Sequence, residues 1–423
     1  MSASSDDRSE ESSGPENGKP IVGCAPTMQA IRAENILSFP PSNGVSNNEM
    51  LELRNLNILI GPNGSGKSNL LEVIHLLRST SGDLRPVLSR RGGVGEWIWK
   101  GNPHDSAKVK AFICYPNSKQ TLVHNFEFRS HYQQFQLDSE SILKFVDGKF
   151  EDGEKGFPKS PYSFNLGSSP LILSSQSESS AWIEPDNFNP SLSILAQRDA
   201  PEYYPEISTL KEFYSHIRIY REWSMGRNTL FREPQRADLR TDRLEEDFSN
   251  LGLFLSKLRR KPKAKQALLA HLQNLYEGLS DFDVSVEGGT VQVFFTEGDF
   301  VIPATRLSDG TLRYLCLLAI LCDPEPPLLI GIEEPELGLH PDLLPKLADL
   351  LVEASTRCQL IVTTHSDILV DALSEQPESI VVCEKHERQT SMRRLDAKEL
   401  APWLEKYRLG QLWISGELGG TRW

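Results

Sequence analysis

The sequence predicts an α/β protein: a parallel sheet carrying a phosphate-binding loop, joined to an antiparallel β subdomain and interrupted by a helical segment. Three observations lead there. Gly61-Pro62-Asn63-Gly64-Ser65-Gly66-Lys67-Ser68 fits G-x-x-x-x-G-K-[ST] with no departure. It follows a short apolar run (Leu56, Ile58, Leu59, Ile60) and precedes a stretch, 69–77, with one apolar helical face; strand, Gly-rich loop and helix is the setting such a loop needs. Residues 108–115 and 121–129 alternate in period two, the mark of antiparallel strands. Residues 311–383 read helix, strand, helix, strand, helix, strand, which implies a parallel sheet covered by helices.

The loop's residue types have a physical reason. Its glycines let the backbone turn tightly and bring N–H groups close to an anion. The helix beginning near Lys67 adds its positive dipole end. Lys67 reaches β- and γ-phosphates, and the Ser68 hydroxyl suits Mg²⁺. With Asn69, which follows directly, residues 61–68 are the nucleotide-binding candidates.

Composition sets the bounds. The 423 residues allow two or three domains with real cores, and 39% hydrophobic with 24% charged residues is ordinary for a globular chain. No apolar run is long enough to cross a membrane. Residues 1–25 read as a disordered acidic tail, rich in Ser, Asp, Glu and Gly, rather than a secretory signal. The six cysteines lack any C-x-x-C spacing and several lie in apolar segments, which predicts reduced, buried thiols and a cytoplasmic setting. A net charge of −13 argues against a broadly basic nucleic-acid surface.

Taken in order, residues 30–39 read as an early strand, broken by Pro40 and Pro41. Residues 133–137 and 141–146 extend the antiparallel meander, and 150–190 are loop-rich in Gly, Pro and Ser. Helical patterns follow at 207–217, 244–258 and 264–276. Lys257, Arg259, Arg260, Lys261, Lys263 and Lys265 crowd one short span of this region. Such a run is either a solvated helix end or a phosphate-contacting patch for DNA. A hairpin is predicted at 282–295 around Gly288-Gly289.

Three further elements complete a candidate site. The apolar run 328–332 ends in Glu333-Glu334. Such a strand end places one carboxylate, Glu333, near Mg²⁺ and the next, Glu334, near the attacking water. Ser308 is the predicted N-cap of helix 311–321, and with Gly310 it offers a helix start that suits a γ-phosphate. His365 follows the apolar run 361–364, placed to sense that phosphate.

Together these motifs resemble the ATPase head of the ATP-binding-cassette (ABC) superfamily, in the branch of RecF, SMC and OLD-type proteins. In that resemblance residues 61–68 are the Walker A loop, 328–334 the Walker B strand, 308–311 the signature loop and His365 the switch histidine. Residues 336–341 resemble the loop after Walker B that meets a second subunit. Two departures stand out: Glu333 where the family usually has Asp, and Asp309 for the second signature glycine. The glutamine that contacts Mg²⁺ is open among Gln133, Gln134 and Gln136. The implied fold is an ABC-ATPase head with a parallel P-loop sheet, an antiparallel β subdomain and an inserted helical subdomain. Its parts are 26–190, a helical insertion over 191–280, and 281–395. Residues 396–423, rich in Trp and Gly, form a segment that docks on the core or on a partner.

The resemblance also implies a function: an ATPase that closes as a homodimer around ATP and Mg²⁺, with Lys67, Glu334 and His365 catalytic. It implies work in DNA repair or anti-phage defence, with DNA or a nuclease-type, Toprim-like partner. A transporter subunit is disfavoured by the long gap between Ser68 and Ser308, and a low-turnover regulatory module by Glu334 and His365. An in-built Toprim domain is disfavoured because little chain remains after residue 379.

Overall fold

The computed structural model describes residues 26–41, 50–115, 120–146, 149–150, 160–168, 171–173, 180–182, 187–223, 226, 229 and 232–420. The expected acidic tail, 1–25, lies outside them. At the centre is a six-stranded sheet, ordered β11 (Ile217–Tyr220), β16 (Leu329–Glu333), β17 (Gln359–Thr363), β3 (Leu56–Ile60), β18 (Ile380–His386) and β19 (Gln389–Arg394). All its pairings are parallel except β18 with β19. β3 and β17 are buried along their whole length, as central parallel strands covered on both faces should be.

The sheet divides two apolar layers, and alternate residues of one strand feed opposite sides. Ile58 and Ile60 join one cluster with α7 (Asp309–Leu321) and α8 (Leu344–Ala354), and Leu59 joins the other with α1 (Lys67–Ser79) and α4 (Pro205–Ser215). Residues Leu312 to Leu321 of α7 are all buried, so this helix is wrapped by core on every face. Each fully buried leucine in it contributes about 1.5–3 kcal/mol. Gly331 lets α1 close on β16, since a Cβ there would lie 2.9 Å from Leu71 Cδ2.

The second layer is roofed by a nine-stranded antiparallel sheet. Its core is β1 (Thr27–Glu34), β4 (Ala107–Tyr115), β5 (Gln120–His131), β6 (Gln134–Val146) and β8 (Tyr162–Asn165). The alternation read in the sequence is the alternation of burial along β4. A four-stranded sheet joins β12 (Gln235–Arg236), β13 (Leu279–Glu287), β14 (Thr290–Glu297) and β15 (Phe300–Pro303), with the hairpin turn at Gly288-Gly289.

Several expectations are corrected. Residues 191–280 are not a purely helical insertion. α5 (Leu251–Arg259) and α6 (Pro262–Leu275) are helices, but β11 between them and α4 is the edge strand of the central sheet. All four β11 residues are buried, so no alternation betrays them. Residues 244–250 are turns and irregular chain, not helix; Asn250 Nδ2 holds Arg240 O and Arg243 O in place of a helical first turn. The first strand ends at Glu34, not Phe39. Asn35 takes φ 52° and its amide donates to three carbonyls, of Asn102, Asp105 and Ser106, which fixes a left-handed turn.

Candidate functional site

The phosphate loop leaves β3 and enters α1 at the carboxyl edge of the central sheet, where open α/β sheets bind ligands. Two glycines there are sterically required. A Cβ on Gly61 would lie 2.2 Å from Cys383 O, and one on Gly66 2.3 Å from Thr390 Oγ1. Both have positive φ, at 145° and 105°. Lys67 is 5% exposed, and its Nζ donates to Gly61 O at 2.7 Å and Pro62 O at 3.1 Å. Burial holds its ammonium below the usual lysine range, partly offset by Cys383 and by Glu334, Glu336 and Glu333.

The neighbouring strand ends bring the predicted acids to the loop. Ser68 Oγ meets Glu333 Oε1, so the two candidate Mg²⁺ ligands touch across 265 residues of sequence. Glu334 follows with φ 46°. Its N–H donates to Thr363 O at 3.0 Å, and its Oε1 lies 3.4 Å from His365 Nε2. The oxygen-only pair of Ser68 and Glu333 suits a hard cation such as Mg²⁺. Ser65 Oγ is buried among the loop amides with no hydrogen-bond partner, an open polar group in a phosphate cradle. The residues therefore fit a nucleoside triphosphate with Mg²⁺.

Not every candidate joins this cluster. Ser308 caps α7, accepting from Thr311 N at 3.1 Å, and Gly310 packs so closely on Gly338 that a Cβ would lie 2.8 Å from its carbonyl oxygen. Among the described residues, no hydrogen bond joins Ser308 or Gly310 to the phosphate loop. Asp309 is ion-paired with Arg232 at 2.5 Å. Pro62, Asn63 and Gly64 line the loop's outer turn, Asn63 and Gly64 exposed. Asn69 Nδ2 is held by Ser38 Oγ at 2.7 Å, bracing the loop's flank. Gln133, Gln134 and Gln136 sit at or beside the β5–β6 turn, where Tyr132 and Gln133 have positive φ. Much of the basic run's charge is matched within the chain: Lys257 and Lys261 by Glu325, Arg259 by Asp283, and Lys265 by Asp281.

Sequence reasoning missed four participants. Glu336 Oε1 accepts from His365 N at 2.7 Å and Thr364 Oγ1 at 2.8 Å, and burial raises its carboxyl above the usual range. Trp223 and Arg313 reach the carbonyls of Glu333 and Glu334. Thr390 Oγ1 donates to Ser38 Oγ and to Ser65 O of the loop. Glu336 alone had a local signal, its place in Glu-Glu-Pro-Glu. The terminal segment docks on the core: Leu409, Leu412, Trp413 and Leu418 are buried, and a Cβ on Gly420 would lie 3.5 Å from Gly61 Cα. Residues 421–423 lie outside the described chain.

The model of the family described as "AAA domain, putative AbiEii toxin, Type IV TA system" matches residues 56–371, from the start of β3 to the last residue of the helix at Asp367–Asp371. The chain belongs to this AAA family. No curated protein sequence matches it significantly. Among solved structures, this AAA-family chain is similar to an Smc head bound to the C-winged helix domain of ScpA. The TM-score is 0.54 at 14% identity, over 89% of this chain and 99% of that one. It is also similar to a Pyrococcus furiosus Smc head with an extended coiled coil, bound to the C-terminal domain of ScpA. There the TM-score is 0.54 at 13% identity, over 90% and 99% of the two chains. The fold is that of an Smc head, and this AAA-family protein is a P-loop ATPase. No helix among its described residues is long and apolar enough to cross a membrane.

Proposed function

We propose that this chain hydrolyses ATP in a composite site, one half on the loop of residues 61–68 and the other on Ser308 and Gly310 of a second copy. The carrying observation is the meeting of Ser68 with Glu333 beside the Glu334–His365 pair, while Ser308 and Gly310 lie on a separate helix start. Loop amides and Lys67 hold the phosphates, and Ser68 with Glu333 hold Mg²⁺. Bound there, Mg²⁺ neutralises charge on the phosphate oxygens. Glu334 orients the attacking water, and His365 contacts the γ-phosphate side. Leu337 and Ile368, exposed beside these loops, would be covered by the second copy.

The RecF, SMC and OLD resemblance supports a role for this activity in DNA repair or anti-phage defence, with DNA or a nuclease-type protein as partner. The ScpA-bound state of the similar Smc heads supports a protein partner. Free, largely buried thiols support a reducing, cytoplasmic setting. The ion pairs along 257–265 leave DNA contact to the rest of that span or to another face.

The Glu334→Gln protein should bind ATP and run as a dimer in light scattering. A monomer under saturating ATP would sink the composite site. Co-purification with mass spectrometry should bring down the partner, and added DNA should change ATP turnover if DNA is the trigger.

A further inference from the structure

Trp223 lies three residues past β11, and Arg313 sits in the first turns of α7. They meet over the bend that follows β16. Trp223 Nε1 donates to Glu333 O at 2.7 Å, and Arg313 Nη2 donates to Glu334 O at 2.8 Å. The guanidinium carbon lies 4.6 Å from the Trp223 ring centroid, within cation–π range. From the third side, Glu334 N donates to Thr363 O at 3.0 Å. Three elements therefore fix one short stretch of backbone.

That stretch needs fixing. Glu334 has φ 46°, a left-handed conformation that a non-glycine residue holds only where its surroundings over-determine it. Arg313 is an expensive way to do so. It is 6% exposed and its Nε is buried without a hydrogen-bond partner. An apolar side chain of similar volume would fill the space at lower cost. Burial pulls its guanidinium down to about 10, so it stays charged at neutral pH and binds the carbonyl as a cation.

We propose that Trp223 and Arg313 are positioning residues for Glu334, locking the left-handed bend and carrying the position of α7, the helix begun by Ser308 and Gly310, to the hydrolytic carboxylate. This rests on the reading of Glu334 as the water-orienting group. Among the described residues, no hydrogen bond joins the pair to the phosphate loop or to the side chains of Ser68 and Glu333, and Trp223 reaches Glu333 only at its backbone carbonyl, so the pair should set turnover and not ATP affinity. A movement of α7 on closure against a second copy would reach Glu334 through one side chain.

The test uses the full chain with Arg313→Met, Trp223→Leu, and the conservative Arg313→Lys and Trp223→Phe. ATP affinity, kcat and amide exchange over residues 333–337 are measured together. Arg313→Met and Trp223→Leu should lower kcat 10- to 100-fold with ATP affinity within threefold. The amides of Glu333, Glu334, Glu336 and Leu337 should exchange at least tenfold faster while those of α1 keep their rates. Arg313→Lys and Trp223→Phe should recover part of kcat, and they carry the test if the larger changes unfold the chain. The double variant should be no worse than the worse single, since the two act as one unit. Unchanged kcat and exchange in Arg313→Met overturns the proposal, as does a loss of ATP affinity equal to the loss of kcat. Full turnover in Glu334→Gln overturns the reading of Glu334 itself, and the exchange data separate that failure from a failure of the clamp.

Discussion

At the carboxyl edge of the central sheet, Glu334 Oε1 lies 3.4 Å from His365 Nε2 with the two side chains 31% and 33% exposed, whereas inside the antiparallel subdomain Glu140 Oε1 lies 3.1 Å from His124 Nε2 with both at 0%. The residue types and spacing are nearly the same, and the surroundings are opposite. Glu140 is fully subscribed: it also accepts from Ser193 Oγ at 2.5 Å and Ile194 N at 2.9 Å, while His124 Nδ1 meets the Tyr214 hydroxyl at 3.0 Å. That network ties α3 (Ile194–Gln197) and α4 to the sheet and leaves no room for a reactant. At Glu334 the backbone is the part held, by Thr363 and Arg313, and the carboxylate stays partly in solvent. A buried polar group that is fully paired specifies structure; one whose backbone is fixed and head group open is placed for chemistry.

Mirrored substitutions should pull the two pairs apart. Glu334→Gln should lower kcat by about 100- to 10,000-fold, the range for losing a general base or water-orienting group. Its thermal midpoint should barely move, as for a surface change. Glu140→Ala should do the reverse. Leaving His124 Nε2, the Ser193 hydroxyl proton and Ile194 N–H unpaired in a sealed interior should cost about 3–5 kcal/mol by urea titration, with kcat per folded molecule unchanged. A Glu140→Ala protein that stays fully folded but loses turnover would break the comparison.

How far the sequence showed this division depends on range. The phosphate loop, the Glu333–Glu334 strand end and the Ser308 cap were legible because each is written in consecutive residues. The central sheet was legible because its apolar strands alternate with helices. β11 was not, because four buried residues straight after a helix carry no period and its partner β16 lies far along the chain. Trp223 and Arg313 were not, because their meaning is a set of contacts between separate elements, the bond from Trp223 to Glu333 O spanning 110 residues. The basic run looked like a charge patch because its acids, Asp281, Asp283 and Glu325, are supplied by β13 and the loop after α7. The docking of the terminal segment had a local hint in its tryptophans but no local statement of where.

A third histidine lies between the two regions, on α1. Burial, reinforced by Arg221, Arg78 and Arg90 and opposed by Glu72, pulls His75 down to about 4 from an ordinary value near 6.5. The folded chain therefore resists a proton that the unfolded chain accepts. The contribution to stability is complete above about pH 6.5 and is lost as pH falls toward 4, on the order of 3 kcal/mol across the window. His75→Gln should flatten that part of the stability profile measured by urea titration at stepped pH. An unchanged slope would mean His75 is solvated and the loss belongs to carboxylates alone.

The smallest expected effect concerns what stands behind the phosphate loop. Trp413 lies in α11 (Leu409–Ile414) and its Nε1 donates to Gly420 O at 3.2 Å. Gly420 N in turn donates to Glu384 Oε1 at 2.9 Å, which holds Gly420 against Gly61. Trp413→Phe keeps an aromatic ring in the core and removes only the link to Gly420. It should cost about 1 kcal/mol, the net worth of one hydrogen bond. If the segment braces the loop, KM for ATP should rise two- to fivefold with kcat unchanged, the opposite split from Glu334→Gln. An unaltered KM would mean the segment only buries its own Leu409, Leu412 and Leu418 against the core. A fall in kcat at constant KM would instead place it on the hydrolytic side of the site, because the loop's grip on ATP and the bend at Glu334 are reached through different contacts.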